Sequence, residues 1–162
     1  MSKQILEGIF LKSAKAEGLW IQKFYNVHIT RTPSDFIVCT NKGHYLVECK
    51  ETRDGRYAFS RTTQEDQLID FDSYNNHSNH NKSSCDCCGG VSFGSYICIL
   101  FRQRMLKNSC CFLIPYNEFQ IFIAQHDKKS CNVEDLAAYF GTKYMLYNKL
   151  GRSFRGISNI LL

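Results

Sequence analysis

The residues best suited to chemistry gather in one short stretch, Pro33-Ser-Asp35-Phe-Ile-Val-Cys-Thr-Asn-Lys-Gly-His-Tyr-Leu-Val-Glu48-Cys-Lys50. Two apolar runs, Phe36–Cys39 and Tyr45–Val47, flank a polar linker containing Asn-Lys-Gly, which is a β-hairpin signature. Period-two alternation places Leu46, Glu48 and Lys50 on one face of the second strand, and Tyr45, Val47 and Cys49 on the other. A turn centred near Lys42 brings Asp35 opposite the Glu48–Lys50 region. Two carboxylates and an amine then meet at one end of an apolar hairpin, where charge is costly unless it holds an ion or takes part in a reaction. Such a set suits Mg²⁺-assisted phosphodiester hydrolysis. Asp35, Glu48 and the backbone carbonyl of Cys49 would supply hard oxygen donors, and Lys50 would orient or help deprotonate the attacking water.

The neighbouring segments must deliver these groups. Residues 3–17 carry Ile5, Leu6, Ile9, Phe10 and Ala14 at helical spacing, with Gly18 as the stop. Glu7 has apolar neighbours at Phe10, Leu11 and Ala14, so its carboxylate either faces an interior site or sits solvated in a first turn. Residues 19–30 read as a strand or extended approach, and the loop through Ser34 leads into Asp35. After Lys50 comes a polar turn with Arg53 and Arg56, then Tyr57–Phe59. Thr62-x-x-Glu65 is a capping box that opens a helix with Gln67 near its start. Ser95–Phe101 reads as a central strand buried on both faces. The basic turn Arg102–Asn108 leads to a second strand at Cys110–Ile114, ended by Pro115. Helices are expected from Asn117 to Ala124 and over Val133–Phe140. The tail, with Lys149, Arg152 and Arg155 among apolar residues, suits either the sheet or a partner.

The 162 residues are read as one domain, with a net charge of +5 that is compatible with an anionic partner. No run approaches the roughly 20 apolar residues of a membrane span. Met-Ser-Lys-Gln leads into an amphipathic segment rather than a signal-peptide pattern, so a cytoplasmic setting with mostly reduced thiols among the nine cysteines is expected. Residues 75–92 change abruptly to Asn, Ser, His, Gly and Cys. His77, His80, Cys85 and Cys88 are ligand types that zinc accepts, but their crowding fits no finger pattern, and an ordinary surface loop is the competing reading.

Asp35, Glu48-x-Lys50 and the helix carrying Glu7 together resemble the PD-(D/E)xK, or restriction-endonuclease-like, nucleases. Glu48-Cys-Lys50-Glu51-Thr52, with Phe59-Ser60 and Gln67 following, is similar to the Holliday junction resolvases of the RecU and archaeal Hjc type. That resemblance implies an α/β restriction-endonuclease-like fold, a mixed sheet of about five strands flanked by helices. It implies Glu7, Asp35, Glu48, Lys50 and Gln67 as the catalytic set, with Mg²⁺ as cofactor and Mn²⁺ as a substitute. It also implies paired nicks in a four-way DNA junction by a homodimer. The insert at 75–92 has no counterpart in it.

On this reading Arg31, Lys42, Arg53, Arg56 and Arg61 contact backbone phosphates, and Arg102, Arg104 and Lys107 a more distant stretch. Two other readings stay open. One is a nuclease of the same superfamily that cuts ordinary duplex DNA. The other is a non-enzymatic, zinc-stabilised nucleic-acid-binding module.

Overall fold

Helix α1 (Ile5–Ala16) forms where the apolar stripe predicts it and buries Leu6, Phe10, Ser13 and Ala14. Gly18, at φ 77°, adopts the left-handed conformation that lets the N–H groups of Gly18 and Leu19 return to the Lys15 and Ala14 carbonyls. The computed structural model describes residues 5–25, 32, 34–61, 92–149 and 151–161. The helix expected from Thr62, with Gln67, lies outside the described residues. So do Arg31 and the candidate zinc ligands His77, His80, Cys85 and Cys88.

The chain continues through strands β1 (Trp20–Lys23), β2 (Phe36–Cys39), β3 (Gly43–Thr52) and β4 (Tyr57–Ala58), then a 3₁₀ turn at Phe59–Arg61. Next come β5 (Ser92–Phe101), a second 3₁₀ turn at Leu106–Asn108, β6 (Cys110–Pro115) and helix α2 (Tyr116–Gln125). The last elements are β7 (Ser130–Cys131), α3 (Val133–Phe140), β8 (Met145–Lys149), β9 (Ser153–Arg155) and α4 (Ile157–Leu161). Asn132 opens α3 with a reciprocal capping box to Asp135.

Seven strands form one sheet in the order β1-β2-β3-β5-β6-β8-β9, while β4 and β7 make a separate two-stranded ribbon. Within the large sheet β3 and β5 run parallel and the other pairs are antiparallel. This is the mixed α/β sheet flanked by helices that the restriction-endonuclease-like expectation requires. It has seven strands rather than about five, because the tail supplies β8 and β9. The tail joins the sheet because Leu146, Phe154, Ile157 and Leu161 bury their side chains in the core.

Two apolar layers cover the two faces. Leu6 and Phe10 of α1 meet Phe36, Val47, Cys49, Cys98 and Leu113 on one face. Ile21 of β1 and Phe154 of β9, from opposite edges of the sheet, join that same core, so the sheet curls around α1. On the other face Ile97, Ile99, Phe112 and Ile114 pack under Phe119 and Phe122 of α2 and Leu136 of α3. Burial on both faces accounts for the nearly continuous apolar run of β5. The six described cysteines are free thiols. Among the described residues no helix is long and apolar enough to cross a membrane.

Candidate active site

A step in the sheet creates the site. The β2–β3 register pairs Phe36 with Val47, so β2 ends beside Glu48 while β3 runs on to Thr52 against β5. Past Val47 the open edge of β3 has backbone groups without a β2 partner, and they need another. Asp35, the residue before β2, supplies it: its Oδ2 accepts the Cys49 N–H at 2.7 Å. In an extended strand one residue's N–H and C=O point to the same edge, so the Cys49 carbonyl faces the side from which Asp35 reaches. The Cys49 thiol lies buried on the α1 face, and burial holds its pKa well above the usual thiol value. A neutral, buried thiol is core filling rather than a nucleophile.

Glu48 and Lys50 share the opposite face, as the alternation predicts. Lys50 Nζ lies 2.7 Å from Glu48 Oε1. The other oxygen, Glu48 Oε2, is buried and accepts no hydrogen bond among the described residues. An orphaned carboxylate oxygen in the interior is expensive unless something outside the chain takes it up. Burial pushes the Asp35 carboxyl up to about 7, and the nearby Glu48 and Glu7 charges add to the shift, against the Cys49 N–H and Lys50.

Glu7 reaches this cluster from α1, where Lys23 Nζ pairs with its Oε2 at 2.5 Å. Lys23 ends β1 directly opposite Phe36, and its pKa is raised by the hydrogen bond to Glu7, with smaller contributions from the Glu7 and Asp35 charges. Sequence reasoning missed Lys23. The signal that places it is the β1–β2 pairing, which no local pattern announces.

Glu51 was missed as well. Its Oε2 accepts the backbone N–H groups of Ile5 and Leu6 at 3.2 and 3.4 Å, capping α1 from a strand 45 residues away. Its Oε1 takes Arg102 Nη1 at 2.9 Å. Burial opposes ionisation of Glu51, but these donors outweigh it and lower its pKa. The contact fixes the first turn of α1, and therefore Glu7, against the end of β3. Glu51→Ala is expected to lower thermal stability by about 1–2 kcal/mol, the scale of a lost helix cap, with Glu51→Gln losing less. Thermal unfolding of both variants measures it, and equal melting of Glu51→Ala and wild type would remove this role.

Of the sequence candidates, the structure brings together Glu7, Asp35, Glu48, Lys50 and the Cys49 backbone. Arg53 and Arg61 lie at the adjoining end of β3: Arg53 Nε is 3.6 Å from Glu51 Oε1, and Arg61 Nη2 donates to the Glu51 carbonyl. Arg56 donates to Ser130 Oγ and O in the ribbon. Lys42 does not belong to this group. It sits in the β2–β3 turn, at the far end of a ten-residue strand roughly 30 Å long. Lys42, expected to contact phosphates along with Arg53, Arg56 and Arg61, is therefore held away from them, since an extended strand separates its two ends.

The donor set fits a hard divalent cation. It offers Asp35, the orphaned Glu48 oxygen, the Cys49 carbonyl and Glu7 at the margin, all oxygen donors. Among the described residues no three His, Cys, Asp or Glu side chains form a cage able to hold a metal ion. A cation here would therefore rely on the backbone carbonyl and retained waters, which is how Mg²⁺ binds.

No protein-family model matches the chain, and no curated protein matches it. Among solved structures, it is similar to the 1.6 Å structure of Archaeoglobus fulgidus Hjc, a Holliday junction resolvase from an archaeal hyperthermophile. The identity is 10%, the match covers 81% of this chain and 87% of that one, and the TM-score is 0.48.

Proposed function

We propose that this chain is a divalent-metal-dependent endonuclease of DNA, and that its substrate is a four-way junction. The observation that carries the nuclease reading is the buried Glu48 oxygen without a partner beside Asp35, with Lys50 on the same face. A non-enzymatic binder has no use for two carboxylates next to phosphates. The chemistry supplied by a bound Mg²⁺ is polarisation of the scissile phosphate and acidification of a water. Asp35, Glu48 and the Cys49 carbonyl would hold the cation. Lys50, its amine anchored on Glu48, orients the attacking water and offsets charge near the phosphate. Gln67 is proposed, by the resemblance to the resolvases, to support the site.

The four-way junction follows from the resemblance of Glu48-x-Lys50-Glu51-Thr52 to the resolvases. Two symmetric cuts need two sites, so a two-fold homodimer in a cytoplasmic setting is part of the reading. The test is cleavage of a labelled four-way junction and of a linear duplex of the same sequence, with and without Mg²⁺. Paired symmetric nicks confined to the junction and requiring metal are expected. Equal cutting of the linear duplex would replace junction resolution with a duplex nuclease. Binding without any metal-dependent cutting would leave a nucleic-acid-binding module in its place.

A further inference from the structure

The sheet has a rim where β3 and β5 end and β8 leaves it. Thr52 pairs with Phe101 and Phe101 with Cys110. Cys111 pairs with Leu146, and Tyr147 with Arg155, which puts the next residues of β6, β8 and β9 at the same level. Three stretches of the chain meet there, made of strand ends and their connections: 51–56, 102–108 and 147–155. Together they hold eight Lys and Arg against two acidic residues, Glu51 and Asp54. Their excess of six exceeds the +5 of the whole chain, so the remainder is slightly negative. The positive charge of this protein is a property of one rim.

The rim is built rather than loose. Asn148 Nδ2 donates to the Leu106 and Ser109 carbonyls at 2.8 Å each, and Asn148 Oδ1 accepts the Gly151 N–H at 2.8 Å. Gly151, at φ 72°, lies so close to the 3₁₀ turn that a Cβ there would stand 2.5 Å from Leu106 Cβ. The 102–108 turn and the β8–β9 hairpin are thereby locked into one surface. On it Arg104, Lys107, Lys149, Arg152 and Arg155 are exposed, and none forms an ion pair among the described residues. The Arg102 N–H bonds the Thr52 carbonyl at 2.8 Å, and Arg102 also binds Glu51, which joins this surface to the end of β3.

We infer that the rim formed by residues 102–108, 147–149 and 151–155 is a second nucleic-acid contact, a track for the backbone of a DNA arm leading away from the cut. This rests on the proposed function for its partner and deepens it. Unpaired cations on a rigid surface tied to the end of β3, the strand that carries Glu48 and Lys50, would neutralise phosphates without reading bases. Their arginine-rich composition suits the planar, two-pronged grip of phosphate oxygens. Tyr147, 68% exposed and paired with Arg155, offers a ring face to an unstacked base where the duplex opens.

The test combines Arg104→Gln, Lys107→Gln and Arg152→Gln in the Glu48→Gln protein, with a charge-preserving Arg104→Lys, Arg152→Lys companion. Binding to a labelled four-way junction is followed by anisotropy across a salt series without divalent metal, and folding is checked by thermal melting. The triple variant is expected to melt like its parent, to bind at least about tenfold more weakly, and to lower the slope of log affinity against log salt by about 2–3. The lysine companion is expected to keep the parental slope. An unchanged slope in the triple variant overturns the inference, whether or not wild type cuts DNA. A lowered slope with no cutting by wild type would uphold the rim and defeat the nuclease reading. If the three changes weaken binding to vesicles of phosphatidylserine and phosphatidylcholine but not to DNA, the surface faces a membrane and the inference falls.

Discussion

Asp35→Asn and Glu48→Gln are each expected to lower metal-dependent DNA cleavage by on the order of 10³ or more, the scale for losing one preorganised electrostatic group, while DNA binding persists. Neither change alters side-chain volume appreciably. The amide oxygen introduced by Asp35→Asn could still accept the Cys49 N–H, so the step at the edge of β3 keeps its hydrogen bond. Glu48→Gln would keep an oxygen near Lys50 but lose the negative charge that the orphaned Oε2 offers a cation. Removing an anion beside the scissile phosphate also reduces repulsion of the backbone, so junction affinity is expected to hold or tighten. Single-turnover cleavage and anisotropy on the same junction measure both quantities. Wild-type cleavage by either variant would remove these two carboxylates from the mechanism.

The second large effect is on stability and its dependence on pH. The Asp35 carboxyl sits at about 7 in the folded protein, against 3.8 for an unperturbed aspartate, because burial and the Glu48 and Glu7 charges disfavour its ionised form. Between those values the folded chain keeps a proton that the unfolded chain has released, so the contribution of Asp35 to stability falls as pH rises from about 4 to 7 and levels off above. Asp35→Asn removes that loss. The metal-free variant should therefore be more stable than wild type at pH 8, by on the order of a few kcal/mol, and the gap should close near pH 4. Added Mg²⁺ should raise wild type toward the variant, since a cation stabilises the ionised form that burial penalises. Melting curves from pH 4 to 8 in chelator and in Mg²⁺ test this. Parallel curves for the two proteins would show that Asp35 is not held in the charged cluster described above.

Local pattern was enough for several elements. Period-two alternation around the Asn-Lys-Gly turn announced β2, β3 and their register, and the register put Asp35 beside Glu48. The Ile5–Ala14 stripe announced α1, and the unbroken apolar run announced β5. Val133–Phe140 emerged as a helix with the predicted bounds, because Asn132 and Gly141 punctuate it. The tail was not legible in the same way: strands β8 and β9 are short, and only their docking on β6 and on the core around α1 makes them strands.

The site divides along the same line. The amino-acid sequence by itself determined the carboxylates, the lysine that shares a strand face with Glu48 and the hairpin that aligns them, because those depend on neighbours within about 15 residues. The tertiary structure alone decided that Lys23 pairs with Glu7, that Glu51 caps α1 across 45 residues, and that Lys42 stands apart from the arginines. It also decided that three separate basic segments form one rim. The physical reason is range: turn and alternation preferences act along the chain, whereas ion pairs, helix caps at a distance and shared rims exist only once the sheet has curled around α1.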